Sequence, residues 1–171
     1  MIAKEKLNIL WSLEQTAEKY ADRVAVSDVN QELTWKELVK KAQVIGAELS
    51  EKVQPGNPVP VLLEKSSETL AVMLGIVYAG CFYVPVNPMN PTERLRKIME
   101  KLDPEVIISD EKGKEQLAAV GNGLENKVMG PEALKKSSTV DWNRSRGSGK
   151  RRMFYTESLH LDQQEHRRQS W

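Results

Sequence analysis

The sequence predicts an α/β fold, with a largely parallel sheet and helices laid against it. Three observations carry this. Short apolar runs alternate with segments of helical period, at the spacing of crossover units. The run Phe82-Tyr83-Val84-Pro85-Val86 is short and rich in strand formers. Its length argues for a strand buried on both faces, as in parallel sheets. Finally, Pro55-Gly56-Asn57-Pro58, Asn87-Pro88 and Asn90-Pro91 break the chain between such segments.

The elements follow in order. Residues 8–20 place Ile9, Leu13, Ala17 and Tyr20 on one helical face. Val24-Ala25-Val26 and Glu32-Leu33-Thr34 read as strands joined by the turn Asp28-Val29-Asn30-Gln31. Thr34 and Glu37 have capping-box spacing, so a helix starts at Trp35. Its apolar face is Leu38, Ala42, Ile45 and Leu49. Val59 to Leu63 is the next strand, and Pro60 within it predicts an early or edge position. Ser66 and Ser67 can cap a helix whose face is Leu70, Met73, Leu74 and Val77. Gly80 ends it by accepting a left-handed backbone.

After the Phe82 strand, Asn90 is expected to cap and Pro91 to open a helix with Leu95, Ile98, Met99 and Leu102 inward. Val106-Ile107-Ile108 is a strand, 113–119 a short helix, and Lys127-Val128-Met129 a last strand. No internal repeat is present.

The chain has 171 residues, enough for one domain with a sizeable core. No apolar run is long enough to span a bilayer, and the charged N-terminus is not a secretory signal. Cys81 is the only cysteine and reads as a buried structural thiol. This fits a reducing cytoplasm, the expected location. The net charge of +1 hides an asymmetry. From Trp142 onward seven basic residues face three acidic ones, whereas the remainder is slightly acidic. The chain therefore divides into a body, residues 1–134, and a basic tail, 135–171, expected to be disordered.

Residues 77–88, Val-Tyr-Ala-Gly-Cys-Phe-Tyr-Val-Pro-Val-Asn-Pro, resemble a signature of amino-acid adenylation domains. These are the activating domains of non-ribosomal peptide synthetases, within the AMP-forming (acyl-adenylate) synthetase superfamily. Asn87 stands where the family usually has aspartate. Asn90-Pro91-Thr92-Glu93-Arg94-Leu95 is similar to the continuation YPAERL, and Leu33-Thr34-Trp35-Lys36-Glu37-Leu38 to the first motif, LTYxEL. The resemblance covers residues 8–129, with its motifs in family order. It implies the N-terminal part of an AMP-binding ligase fold.

It also implies a two-step activity. A carboxylate, here expected to be an amino acid with a fatty or aryl acid as runner-up, attacks the α-phosphate of ATP and releases pyrophosphate. A thiol, often on a phosphopantetheinyl carrier protein, then takes the acyl group. The intact family uses ATP and Mg²⁺ and binds phosphate with a loop of the form TSGSTGxPKG. That loop does not occur in this reading frame. The matched motifs set strands, turns and packing, so the catalytic, cofactor-binding and metal-ligating residues carried over number none. Nor does the fragment itself carry a cofactor on this reading.

The tail explains the gap when read one base out of register. Each shifted codon takes the third base of one residue and the first two of the next. Asp162-Gln163 then permits only serine or proline, Gln163-Gln164 only threonine or alanine, and Gln164-Glu165 only arginine or glycine. Continued both ways, residues 152–171 can encode DVLYGIFTSGSTGTPKAVV, which contains the missing loop. A frameshift between Leu134 and Arg152 is the reading this supports.

Other readings carry less. Arg146-Gly147-Ser148-Gly149-Lys150-Arg151 lacks the first glycine and the closing hydroxyl of a phosphate loop. His160 and His166 have no cysteine or shared helical face for a metal. Trp142, Phe154, Tyr155 and Trp171 interleave with arginines, as in a nucleic-acid-binding arm, but a solvated tail accounts for them. The alternative to a ligase fragment is a non-catalytic α/β interaction module. A dinucleotide binder is weakest, since no G-x-G-x-x-G follows a strand. A fragment without its later strands is expected to keep an uncovered apolar edge or face and to self-associate.

Overall fold

A computed structural model describes residues 9–135. The tail readings, His160, His166 and the Arg146–Arg151 stretch among them, lie outside the described residues.

The first helix, α1 (Ile9–Lys19), buries Leu10 and Leu13. Ile9, expected inward, is exposed, because the packed face is turned by one residue. A hairpin follows, β1 (Val24–Ser27) antiparallel to β2 (Glu32–Thr34). The Asp28 carboxylate closes its turn by accepting the N–H groups of Asn30 and Gln31 at 2.8 and 3.0 Å. Helix α2 (Trp35–Ser50) starts at the predicted capping box. Glu37 N–H donates to the Thr34 hydroxyl at 3.3 Å, and Thr34 N–H to the Glu37 carboxylate at 2.8 Å. Leu38, Ala42, Ile45 and Leu49 are all buried, as their spacing requires.

Strand β3 (Pro58–Leu62), helix α3 (Ser67–Tyr78), strand β4 (Phe82–Pro85) and helix α4 (Thr92–Leu102) come next. Strand β5 (Ile107–Ser109), helix α5 (Glu111–Val120) and strand β6 (Val128–Met129) complete the order. Short 3₁₀ turns, Leu124–Lys127 and Pro131–Lys135, flank β6. Gly80 has the expected left-handed backbone, φ 77°.

The sheet is parallel throughout, in the order β4-β3-β5-β6. Crossing from β3 to β4 runs one way along the sheet; crossing to β5 and β6 runs the other. With right-handed crossovers, α3 must lie on one face and α4 and α5 on the opposite one. Helix packing agrees: α1, α2 and α3 touch one another, as do α4, α5 and the Leu124 turn. Leu62, Val86, Leu95, Met99, Ile107 and Leu117 form the core beneath α4 and α5.

Several expectations need correction. Strand β4 is not buried on both faces: Phe82 is 50% and Tyr83 40% exposed, because β4 is an edge strand that neither helical layer fully covers. Pro60 does not mark an edge, since β3 pairs on both sides. Its pairing with β5 begins only at Val61, so the missing N–H of Pro60 falls outside that ladder. Helix α3 is buried almost all round, on Ala71, Val72, Leu74 and Ile76, while Leu70 lies outward and Met73 and Val77 are half-buried. At α4, Pro91 is the cap rather than the first helical residue, and Asn90 does not cap.

Candidate functional site

Open parallel sheets bind ligands beyond the carboxyl ends of their strands, where the strand order switches direction. Here that point lies between β3 and β5, at Leu62 and Ser109. It is filled. The buried Ser109 hydroxyl donates to the Leu62 carbonyl at 3.1 Å, tying the two strand ends together. A side chain at Gly113 would meet the Ser109 oxygen at 2.0 Å, so α5 begins tight against this bond. Thr69 donates to the Glu64 carbonyl at 2.6 Å and secures the exit from β3.

Helix N-termini bind phosphate through free N–H groups and a favourable dipole. In α2, α3 and α5 a carboxylate of this chain already occupies that position. Glu37 serves α2. Asp110 accepts from Gly113 N–H at 2.9 Å at the start of α5. Asp28 reaches across from the hairpin to α3, where it accepts the Ser67 N–H at 2.7 Å and the Ser67 hydroxyl at 2.6 Å. The Ser67 hydroxyl, then the Ser67, Asn30 and Gln31 N–H groups, hold the Asp28 carboxyl well below the usual carboxylate range. Glu37 is lowered as well, by the Thr34 N–H and then its hydroxyl. A carboxylate at each of these termini repels a phosphate that would replace it.

One cavity of about 200 Å³ opens between α4, α5 and the Leu124 turn, lined by Arg96, Met99, Glu100, Asp103, Val120 and Lys127 among others. Its polar end faces the amino ends of β5 and β6, where Lys127 donates to the Pro104 carbonyl at 2.8 Å. That is the opposite end of the sheet from the switch point. No group of three or more His, Cys, Asp or Glu residues that could hold a metal occurs among the described residues. Cys81 is buried, its thiol donates to the Gln54 carbonyl at 3.4 Å, and burial raises its pKa. It is the structural thiol its sequence context suggests.

The residues brought together at these points are scaffold ties. The Asp28–Ser67 contact was not visible in the sequence. Asp28 lies in a turn segment, but no local pattern marks a partner 39 residues away.

The profile of the family described as AMP-binding enzyme matches residues 13–162. This chain belongs to the AMP-binding enzyme family.

Its relatives place it more closely. Tyrocidine synthase 1 of Brevibacillus parabrevis is 31% identical over 129 residues, 75% of this chain and 12% of that protein. The solved structure of VinN with 3-methylaspartate is 28% identical with a TM-score of 0.66, over 71% of this chain and 34% of VinN. The N-terminal subdomain of Klebsiella oxytoca NpsA, in complex with 3-hydroxybenzoyl-AMSN, shares the fold at a TM-score of 0.65 and 22% identity, over 77% of this chain and 32% of that one. The chain thus has the fold of an adenylation-enzyme N-terminal subdomain and spans about a third of the length of these two structures. No described helix is long and apolar enough to cross a membrane.

Proposed function

We propose that this chain is the N-terminal part of an ATP-dependent, AMP-forming ligase that activates an amino acid, and that it has no ligase activity alone. The whole fold would join a carboxylate to AMP with release of pyrophosphate and pass the acyl group to a carrier-protein thiol, as the resemblance implies. ATP and Mg²⁺ belong to that whole fold. The observation carrying the inactive reading is the occupation of the α2, α3 and α5 N-termini by Glu37, Asp28 and Asp110. At each of these helix ends a carboxylate of the chain stands where a phosphate would bind, and no step of the reaction is assigned to this part.

The frameshift reading supplies the missing loop from residues 152–171 and accounts for the basic tail. On this reading the chain is truncated relative to its family, resides in the cytoplasm and self-associates for want of its missing partner surface. Two measurements test it. Purified chain should show no ATP–pyrophosphate exchange with any amino acid above a heat-killed control; exchange above that control overturns the inactive reading. Sequencing the gene across codons 134–171 should reveal TSGSTG in a second frame that continues as a long open reading frame. Its absence removes the frameshift.

A further inference from the structure

The connection from α5 to β6 carries chemistry that the scaffold does not use. It reads Gly121-Asn122-Gly123-Leu124, and Asn122 is the only asparagine of the chain followed by glycine. The side chain of an asparagine can be attacked by the main-chain nitrogen of the next residue. The attack closes a five-membered ring. It needs a nitrogen that carries a proton, is free of other bonds and is not screened by a side chain.

The described asparagines divide on these requirements. Asn57, Asn87 and Asn90 precede proline, whose nitrogen has no proton. Asn30 precedes Gln31, whose N–H is held by the Asp28 carboxylate at 3.0 Å. Asn126 lies inside the Leu124–Lys127 turn and precedes Lys127, whose side chain is tied to the Pro104 carbonyl at 2.8 Å. Asn122 meets every requirement. It is exposed. Among the described residues the Gly123 N–H has no hydrogen-bond partner. Gly123 has no side chain, and the place of its Cβ is open except for the Asn126 amide nitrogen at 3.5 Å. The backbone is anchored to either side of the reacting bond. Gly121 N–H donates to the Leu117 and Ala118 carbonyls, and the Gly123 carbonyl accepts the Asn126 N–H at 3.1 Å.

We propose that Asn122-Gly123 is a site of covalent modification by ring closure. The Gly123 nitrogen bonds to the side-chain carbonyl carbon of Asn122. The bond from that carbon to Nδ2 breaks, and the Gly123 amide proton leaves with Nδ2 as ammonia. Water then opens the cyclic imide, its hydroxyl going to a carbonyl carbon and its proton to the Gly123 nitrogen. Opening at the side-chain carbonyl gives aspartate. Opening at the main-chain carbonyl gives isoaspartate, in which the chain runs through the side-chain carbon. Water is the sole co-reactant. The isoaspartate form lengthens the main chain by a methylene between Val120 and Leu124, which are both buried. It should therefore lower the melting temperature.

The test is incubation of the purified full chain at mildly alkaline pH, followed by peptide mapping with mass spectrometry. We expect the amide-to-acid mass change at Asn122 at least tenfold faster than at any other asparagine; an equal rate elsewhere overturns the site. Both aspartate and isoaspartate should form. The isoaspartate is read by methyl transfer from S-adenosylmethionine with an isoaspartate carboxyl methyltransferase. Aspartate alone would mean direct hydrolysis and would overturn ring closure. The same chain unfolded in guanidinium chloride is the reference for shielding. The folded rate should lie less than tenfold below the unfolded one; stronger protection shows that the fold closes the site and overturns it. Gly123→Ala should slow the reaction at least tenfold. Alanine strains the left-handed backbone at this position, φ 68°, so Gly123→Asn, which tolerates it, is read beside it with circular dichroism as the check on folding. An unchanged rate in the folded variant overturns the role of the Gly123 nitrogen.

Discussion

The two helical layers of the sheet are held by different means. The α1–α2–α3 layer is tied by specific contacts. Asp28 bonds the start of α3, Lys41 meets Glu68 at 2.8 Å between α2 and α3, and Tyr78 donates to Glu14 at 3.0 Å between α3 and α1. The helices also touch backbone to backbone. A Cβ on Gly46 would lie 2.5 Å from the Tyr78 Cβ and 2.9 Å from the Gly75 carbonyl; one on Gly75 would lie 2.6 Å from the Ile45 Cβ. Among the described residues α4 and α5 share no such tie with each other; the close contact of this layer is Gly113 of α5 against Ser109 of β5. The α4–α5 layer rests on buried Leu95, Met99 and Leu117, has surface ion pairs within single helices, and leaves the 200 Å³ cavity. Close packing fixes geometry, whereas an apolar cluster with slack gives stability with more tolerance.

The largest effect should come from removing what the second layer does depend on. Leu117→Ala deletes a fully buried side chain and should cost about 2–5 kcal/mol, read by urea denaturation. A loss below about 1 kcal/mol would mean that α5 contributes little to the core.

The sharpest contrast is the addition of carbon to each layer. Gly75→Ala should destabilise by about 1–3 kcal/mol from overpacking, despite alanine's intrinsic helix preference of about 1 kcal/mol. Val120→Ile, beside the cavity, should leave the melting temperature unchanged or raise it. If both substitutions behave alike, the layers do not differ in packing slack.

The polar tie has its own signature in pH. The folded-state pKa of Asp28 lies below its unfolded value, so its stabilisation is complete above the unfolded value, about 3.9, and is lost as pH falls from there towards the folded value. Asp28→Asn should lower the melting temperature at neutral pH and flatten its fall with acid. An unchanged acid slope would show that the Ser67 contact does not persist in solution.

The smallest effect belongs to the second layer's surface. Glu93→Gln breaks the exposed 3.2 Å pair with Arg96 and should change stability by less than about 1 kcal/mol, with the effect vanishing in high salt. A larger cost would indicate that α4 relies on polar ties as α2 and α3 do.

Local features were legible in the order of residues alone. The Thr34–Glu37 box, the hairpin around Asp28–Gln31, the Gly80 stop and the parallel α/β class all depend on residues a few positions apart, or on the spacing of apolar runs. The matched motifs were likewise legible as scaffold. Tertiary structure decided which strand became the edge, and so left Phe82 and Tyr83 bare and placed Pro60 in an inner strand. It also decided that Asp28 closes α3 and that Gly46 and Gly75 lie at a helix contact. The reason is one of range. A cap or turn is fixed by neighbours along the chain, but exposure depends on the direction of each crossover and on which helices then meet. An apolar strand reads the same at the edge of a sheet as at its centre.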